Sequence, residues 1–370
     1  LSASNGWNPD HPIDLTSIKT AARVWPQHDH KGTATPSGES RPARMATHTV
    51  RRIALILAAL LVAALFALSY AIYRRDIGRA YERIATGSRI AQTRCGPIEY
   101  AVAGEGPPLL SVHGAGGGFD QGLELAQPLA RGGFRVIAMS RFGYLRTPLP
   151  EDASAAAQAD AHACLLDALD IKRVAVLGTS AGGPSSLQFA LRHPDRTAAL
   201  VLLVPAAYAP RPNQAPAVHT PRGTPFLFDT VLRSDFLFWA MGKLAPDTFV
   251  RGILGTPPEV VARASSDEQA RVERIMEHIL PLIPRRIGLI NDAAVATSLP
   301  RYELEKITAP TLTISAADDL YGTFDGARYT ADHVPGARFI GYASGGHMLV
   351  GHDAEATSRI AAFLQEAARF

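Results

Sequence analysis

Gly178-Thr179-Ser180-Ala181-Gly182 sets a serine between two glycines, directly after the apolar run Val174–Leu177 and ahead of a helical pattern. A strand that turns sharply into a helix needs small residues around the turn, and a serine at its apex projects its hydroxyl above the sheet edge. The helix start adds positive partial charge and a free N–H, that of Ala181. An alcohol is a weak nucleophile at neutral pH. It needs a base to take its proton and an acid to orient that base. Asp318 and Asp319 follow the run Thr311–Ser315, and His347 follows Gly345-Gly346 beyond the run Ala337–Tyr342. The order is serine, aspartate, histidine, each behind a separate strand. Parallel strands bring their carboxyl ends to one edge, where three remote residues can meet. Of twelve histidines only His347 has this placement; His352 reads as the opening of the last helix.

A second element lies upstream, where Leu109–His113 runs into Gly114-Ala115-Gly116-Gly117-Gly118. A dinucleotide-binding G-x-G-x-x-G fails here, because Phe119 and Gln121 stand where the last glycine would be. The loop instead presents backbone N–H groups. That of Ala115, with Gly116 as the alternative, pairs with Ala181 N–H around a developing oxyanion. His113 is expected to orient this loop rather than act as a base, Arg141 to brace the loops, and Gly116 and Tyr144 to touch substrate. No HExxH, paired CxxC or EF-hand loop occurs, so neither metal nor cofactor is expected.

The elements that must position these residues alternate. Pro97–Ala103, Leu109–His113, Phe134–Met139, Val174–Leu177, Ala199–Val204, Thr311–Ser315 and Ala337–Tyr342 read as strands, with helical stretches at Ser154–Leu169, Ser186–Arg192 and Ala354–Ala368. Runs apolar on both faces suit a parallel sheet covered by helices, so the fold class is α/β, a doubly wound and mostly parallel sheet. The alternation breaks between Pro205 and Ile307, an interval too long for a loop and rich in Pro, Gly and aromatics (Phe226, Phe228, Phe236, Phe238, Trp239), which reads as an inserted helical cap.

Together these residues resemble the α/β-hydrolase superfamily, from Arg89 to the C-terminus. The resemblance implies a Ser180 nucleophile, a His347 general base and an acid in the loop after Ser315. The family form H-G-x-x-D maps the acid to Asp319, with Ser315 and Ala316 in place of H-G; Asp318 is the alternative. Ser140-Arg141-Phe142-Gly143-Tyr144 stands where many members carry D-x-x-G-x-G, and Ser140 and Tyr144 depart from that pattern. The resemblance implies a serine hydrolase acting on a carboxylic ester or lactone of a small, partly apolar substrate. A carbon–carbon bond hydrolase of ring-cleavage products is the enzymatic alternative, and a non-catalytic membrane-tethered binding protein the other.

Hydrophobic residues make up 47% of the 370, too many for a disordered chain, and two cysteines cannot staple one this long. Residues 1–75 hold nine Lys/Arg against four acids and the rest 28 against 30, so the body lacks a nucleic-acid footprint. Cys95 and Cys164 each read as a lone buried thiol. Leu1 is not an initiator methionine, and Met45 with Arg51-Arg52 ahead of the uncharged run Ile53–Tyr73 looks like an N-terminus. Residues 1–44 are then an upstream or disordered extension, and 45–75 a single-pass anchor contacting the bilayer through 53–73. A signal cleaved near Ser69-Tyr70-Ala71 competes with that reading. Arg74, Arg75, Arg79 and Arg83 lean towards a cytoplasmic body, against the habit of N-terminal anchors, so the side stays open. The expected division continues with core 76–205, cap 206–306 and core 307–370; the oligomeric state is open.

Overall fold

A computed structural model describes residues 42–210 and 230–367; the expected extension through residue 41 and the aromatics Phe226 and Phe228 lie outside them. The chain divides into two units, Leu1–Ala63 and Ala64–Phe370. In the first, the described residues from Pro42 onward belong to helix α1 (Pro42–Ala85), and Ile53, Leu57 and Leu61 are exposed on it. The stretch Thr49–Ala85 is long and apolar enough to cross a membrane.

In the second unit α1 ends and β1 (Arg89–Thr93), β2 (Gly96–Ala103), β3 (Pro108–Val112), α2 (Phe119–Arg131), β4 (Arg135–Met139), α3 (Ala155–Ala168) and β5 (Val174–Thr179) follow. Next come α4 (Gly183–Arg192) and β6 (Thr197–Leu203). All described helices and strands between β6 and β7 are helical: α5 (Asp235–Leu244), α6 (Pro246–Gly252), α7 (Pro258–Ala262), α8 (Ser266–His278), α9 (Arg286–Thr297) and two short 3₁₀ turns. The chain closes with β7 (Thr311–Ala316), α10 (Thr323–His333), β8 (Arg338–Tyr342) and α11 (Asp353–Ala367).

The eight strands form one sheet in the order β1-β2-β4-β3-β5-β6-β7-β8. β1/β2 and β2/β4 are antiparallel and every later pair is parallel, which bears out a mostly parallel sheet. β1 was not expected, because its half-exposed Arg-Ile-Ala-Gln-Thr carries no apolar run. Alternate residues of each strand feed two cores. Leu110, Val112, Ile137, Met139 and Val176 pack with α3 and α4 on one face, while Leu109, Val136, Ala175 and Leu177 pack with α2 and α11 on the other.

A third cluster joins the inserted helices: Phe238, Trp239, Phe249 and Val272 pack with Ile77 and Ala80 of α1. Ile77 and Ala80, in the stretch expected to begin the core at residue 76, thus pack in the helical layer. One sequence reading is corrected outright. Cys95 and Cys164 form a disulfide with Cα atoms 6.1 Å apart, because the β1–β2 turn lies against α3. A pairing between residues 69 apart in sequence is visible only once the fold brings them together.

Candidate active site

β5 turns into α4 through Ser180–Gly182, and Ser180 holds a φ of 49°, a region sparsely populated by non-glycine residues. The turn survives because its flanks are closely packed. A Cβ on Gly178 would lie 2.3 Å from Ser186 Oγ, and one on Gly182 would lie 2.6 Å from the Val112 carbonyl oxygen. Ala206 N–H donates to the Ser180 carbonyl at 2.9 Å. The serine turn is thereby held by β3, α4 and the chain after β6.

The ends of β3, β5, β7 and β8 lie on one edge, with Val112 opposite Gly178 and Ala316 opposite Tyr342. There His347 Nε2 stands 2.8 Å from Ser180 Oγ, and His347 Nδ1 stands 2.8 Å from Asp319 Oδ2. Asp319 also accepts the Tyr321 N–H at 2.8 Å and the Thr323 hydroxyl. These bonds fix its carboxylate with one oxygen towards the imidazole. Asp318 turns the other way: its carboxylate accepts Gly346 N–H at 2.7 Å and Gly345 N–H at 3.2 Å. The adjacent aspartates divide the work, one meeting the histidine ring and the other the backbone that carries it.

The Gly114–Gly118 loop packs over the serine turn. Ala115 is exposed, and Ala181 opens the helical segment after Ser180, where the first amides have no intrahelical acceptor. Two expectations change here. The Gly116 N–H donates to the Tyr144 hydroxyl at 3.2 Å, so it is already engaged. Tyr144 is fully buried and donates to Asp292 Oδ2 at 2.5 Å, so its hydroxyl braces the loop instead of facing substrate. What lies against Gly116 from the inserted helices is apolar, since a Cβ there would meet Ile279 at 3.3 Å and Leu289 at 3.9 Å.

Asp292, on α9, was not singled out in the sequence. Arg141 grips it through both guanidinium ends at 2.6 Å, and donates as well to the carbonyls of His113 (2.9 Å) and Gly114 (3.2 Å). Burial opposes the Arg141 charge, but Asp292 more than offsets it and the guanidinium pKa rises. A second buried arginine repeats the device: Arg285 pairs with Asp120 at 2.7 Å and donates to the Gly117 carbonyl at 2.6 Å. The signal that could have found Asp292 is a lone carboxylate within the apolar Ile287–Val295 stretch, which demands a buried partner.

His113 takes the expected orienting place. Its Nε2 accepts Arg141 N–H at 2.9 Å, so Nδ1 carries the proton and donates to the Gly114 carbonyl at 2.7 Å. Burial, then the Arg141 charge, hold its pKa well below the usual histidine range, and burial depresses buried His162 to about 3. Unfolded histidines protonate near pH ~6.5, so below that the unfolded state binds more protons. Stability is therefore complete above that pH and falls as pH drops, by ~1.4 kcal/mol per pH unit for each ring. Urea unfolding midpoints should be lower at about pH 5.5 than at about pH 7.5. A midpoint unchanged between them contradicts neutral burial of both rings.

The model for the alpha/beta hydrolase fold matches residues 107–248. An alpha/beta hydrolase fold protein from Nakamurella multipartita superposes with a TM-score of 0.58 at 27% identity, covering 76% of this chain and 99% of that one. This chain belongs to the α/β-hydrolase superfamily. Among relatives in sequence, the uncharacterized hydrolase YcgS of Bacillus subtilis is 26% identical over 280 residues, 72% of this chain and 93% of that protein. A 2-hydroxy-6-oxononadienedioate/2-hydroxy-6-oxononatrienedioate hydrolase of Paraburkholderia xenovorans is 35% identical over 131 residues, 32% of this chain and 44% of that protein. That second match thus spans under half of its relative. This α/β-hydrolase is a hydrolytic enzyme, like the proteins it resembles.

Proposed function

We propose that Ser180, His347 and Asp319 act as nucleophile, general base and acid in the hydrolysis of a carboxylic ester or lactone. The observation that carries this reading is the unbroken chain of contacts from Ser180 Oγ through both ring nitrogens of His347 to Asp319, each 2.8 Å. His347 Nε2 takes the hydroxyl proton as Ser180 Oγ bonds to the carbonyl carbon. The carbonyl pair moves to oxygen, and the amides of Ala115 and Ala181 donate to that oxyanion. Collapse expels the alcohol, which takes the proton from His347. Water, deprotonated by the same ring, then cleaves the acyl-enzyme and restores Ser180.

The match to a dioate carbon–carbon bond hydrolase favours a second reading, in which the scissile bond joins two carbons. The charges around the loop favour the ester or lactone. Arg141 and Arg285 are each matched by a buried aspartate, and Ile279 and Leu289 cover Gly116, a setting suited to a neutral, partly apolar substrate. A panel of p-nitrophenyl esters of increasing acyl length, a lactone and a ring-cleavage dienoate tests the choice. Turnover of the neutral esters or lactone without the dienoate is expected; the reverse pattern transfers the enzyme to carbon–carbon cleavage.

We further propose that α1 anchors the chain in a bilayer through residues 53–73, a reading supported by the length and apolar composition of Thr49–Ala85. The Cys95–Cys164 pairing supports a catalytic unit on the oxidising side of that membrane, because disulfides persist in such compartments and are reduced in the cytosol. Of the arginines after the apolar run, Arg83 is engaged with Asp120 and Arg75 with Asp76.

A further inference from the structure

Within the unit that begins at Ala64, the stretch of α1 from Tyr73 to Arg83 is bonded to the inserted helices. Tyr81 hydroxyl donates to Asp235 at 3.1 Å, and Trp239 Nε1 donates to Asp76 at 3.1 Å. The Tyr73 ring meets Phe236 edge-on at 5.1 Å and Trp239 at 5.6 Å. Arg83 donates to the carbonyls of His278 and Leu280. α5 thus meets α1 at two levels, Asp235 at Tyr81, and Phe236 and Trp239 at Tyr73 and Asp76. N-terminal to Tyr73 on the same helix, the apolar side chains of Leu65, Phe66, Leu68 and Ile72 are exposed.

α5 is apolar on its outer face as well as its inner one. Phe238 and Trp239 are buried, while Leu237 is 40% and Leu244 85% exposed, seven positions apart and so on one helical face. Aromatic rings and arginines collect at the same level: Tyr70 and Tyr73 stand 6.0 Å apart, with Trp239 beside Tyr73 and Arg74 and Arg75 next in the chain. Amphipathic aromatics and arginines in this arrangement mark a membrane–water interface.

We infer that α5 is an interfacial helix whose outer face, through Leu244 and Leu237, rests in the headgroup region of the bilayer that α1 enters. The occupant is a lipid surface because the exposed apolar face of α5 continues an exposed apolar stretch of α1 across direct contacts, with no spacer to lift it away. The inference rests on the membrane reading of α1, and the experiment separates the two. Full-length chain carrying Leu244→Cys, Leu65→Cys or Asp195→Cys is spin-labelled without reductant, so the native disulfide persists, and reconstituted in phosphatidylcholine–phosphatidylglycerol vesicles. Leu244 is exposed, so its substitution leaves the packed face of α5 intact, and ester turnover by each labelled chain checks folding. Collision of the label with dissolved oxygen is compared with collision with a water-soluble nickel chelate.

The oxygen-to-nickel ratio at Leu244 should exceed that at Asp195, in the turn before β6, severalfold, and should be exceeded in turn by Leu65. A Leu244 ratio equal to that of Asp195, with Leu65 still deep, overturns the interfacial helix and leaves the anchor standing. Low collision with both reagents at Leu244 marks a protein contact there and also overturns it. An aqueous signal at Leu65 removes the anchor and the inference together.

Discussion

Ser180→Ala is expected to lower kcat for short p-nitrophenyl esters by ~10⁴–10⁶-fold while leaving KM nearly unchanged. The substitution removes one oxygen, whose contact is His347 Nε2 at 2.8 Å, and keeps a Cβ in the same turn. The strained backbone is held by Gly178 and Gly182 packing and by Ala206 N–H, none of which involves the hydroxyl. Thermal unfolding should therefore stay close to that of the parent. The residual rate comes from substrate positioning and the amides of Ala115 and Ala181, which the variant retains. Turnover within about tenfold of the parent would take Ser180 out of the reaction.

Asp319→Asn should cost ~10⁴-fold in kcat, again with little change in KM. The side chain keeps its size, but it loses the negative charge that stabilises the imidazolium formed when His347 takes the serine proton. Its amide also presents a donor to Nδ1, which favours the tautomer with Nε2 protonated and unable to accept from Ser180. Asp318→Asn is the matched comparison. There an amide oxygen still accepts the Gly346 N–H, now 2.7 Å from the carboxylate, so the loss should stay within about tenfold. If Asp318→Asn proves the more damaging change in kcat, the acid has been assigned to the wrong neighbour.

How far the site could be read from the chain depends on how local each cause is. The Ser180 turn was legible because its strand, its small flanking residues and its helix are contiguous in sequence. His347 was legible as a histidine behind a strand run in a parallel sheet. The adjacent aspartates were not separable, because only the turn decides their directions: Tyr321 N–H bonds back to Asp319, and the two glycine amides capture Asp318. Tyr144 was misplaced for a related reason. A tyrosine near a loop reads as a substrate contact until its partner, Asp292 from α9, is seen 148 positions away.

The fold repeats the lesson. Strands whose residues are buried on both faces declare themselves, whereas β1 is half exposed and owes its existence to pairing with β2. Arg74-Arg75 closes the apolar run of α1 and so suggests a boundary, yet the helix continues to Ala85. Tyr73, Ile77, Ala80 and Ile84 recur at helical spacing there, and Ile77 and Ala80 are buried among the inserted helices. From Tyr73 onward the helix packs among the inserted helices through partners as distant in sequence as Asp235 and Trp239, which its own spacing does not identify.

Labelling with a fluorophosphonate tests the central claim most directly, since the probe modifies a serine only when a neighbouring base activates it. The parent enzyme should acquire one phosphonyl group, located by peptide mass spectrometry on Ser180, with matching loss of ester turnover and no labelling after His347→Ala. A well-folded parent that stays unmodified while ester hydrolysis continues, or an adduct on a different serine, would contradict the account.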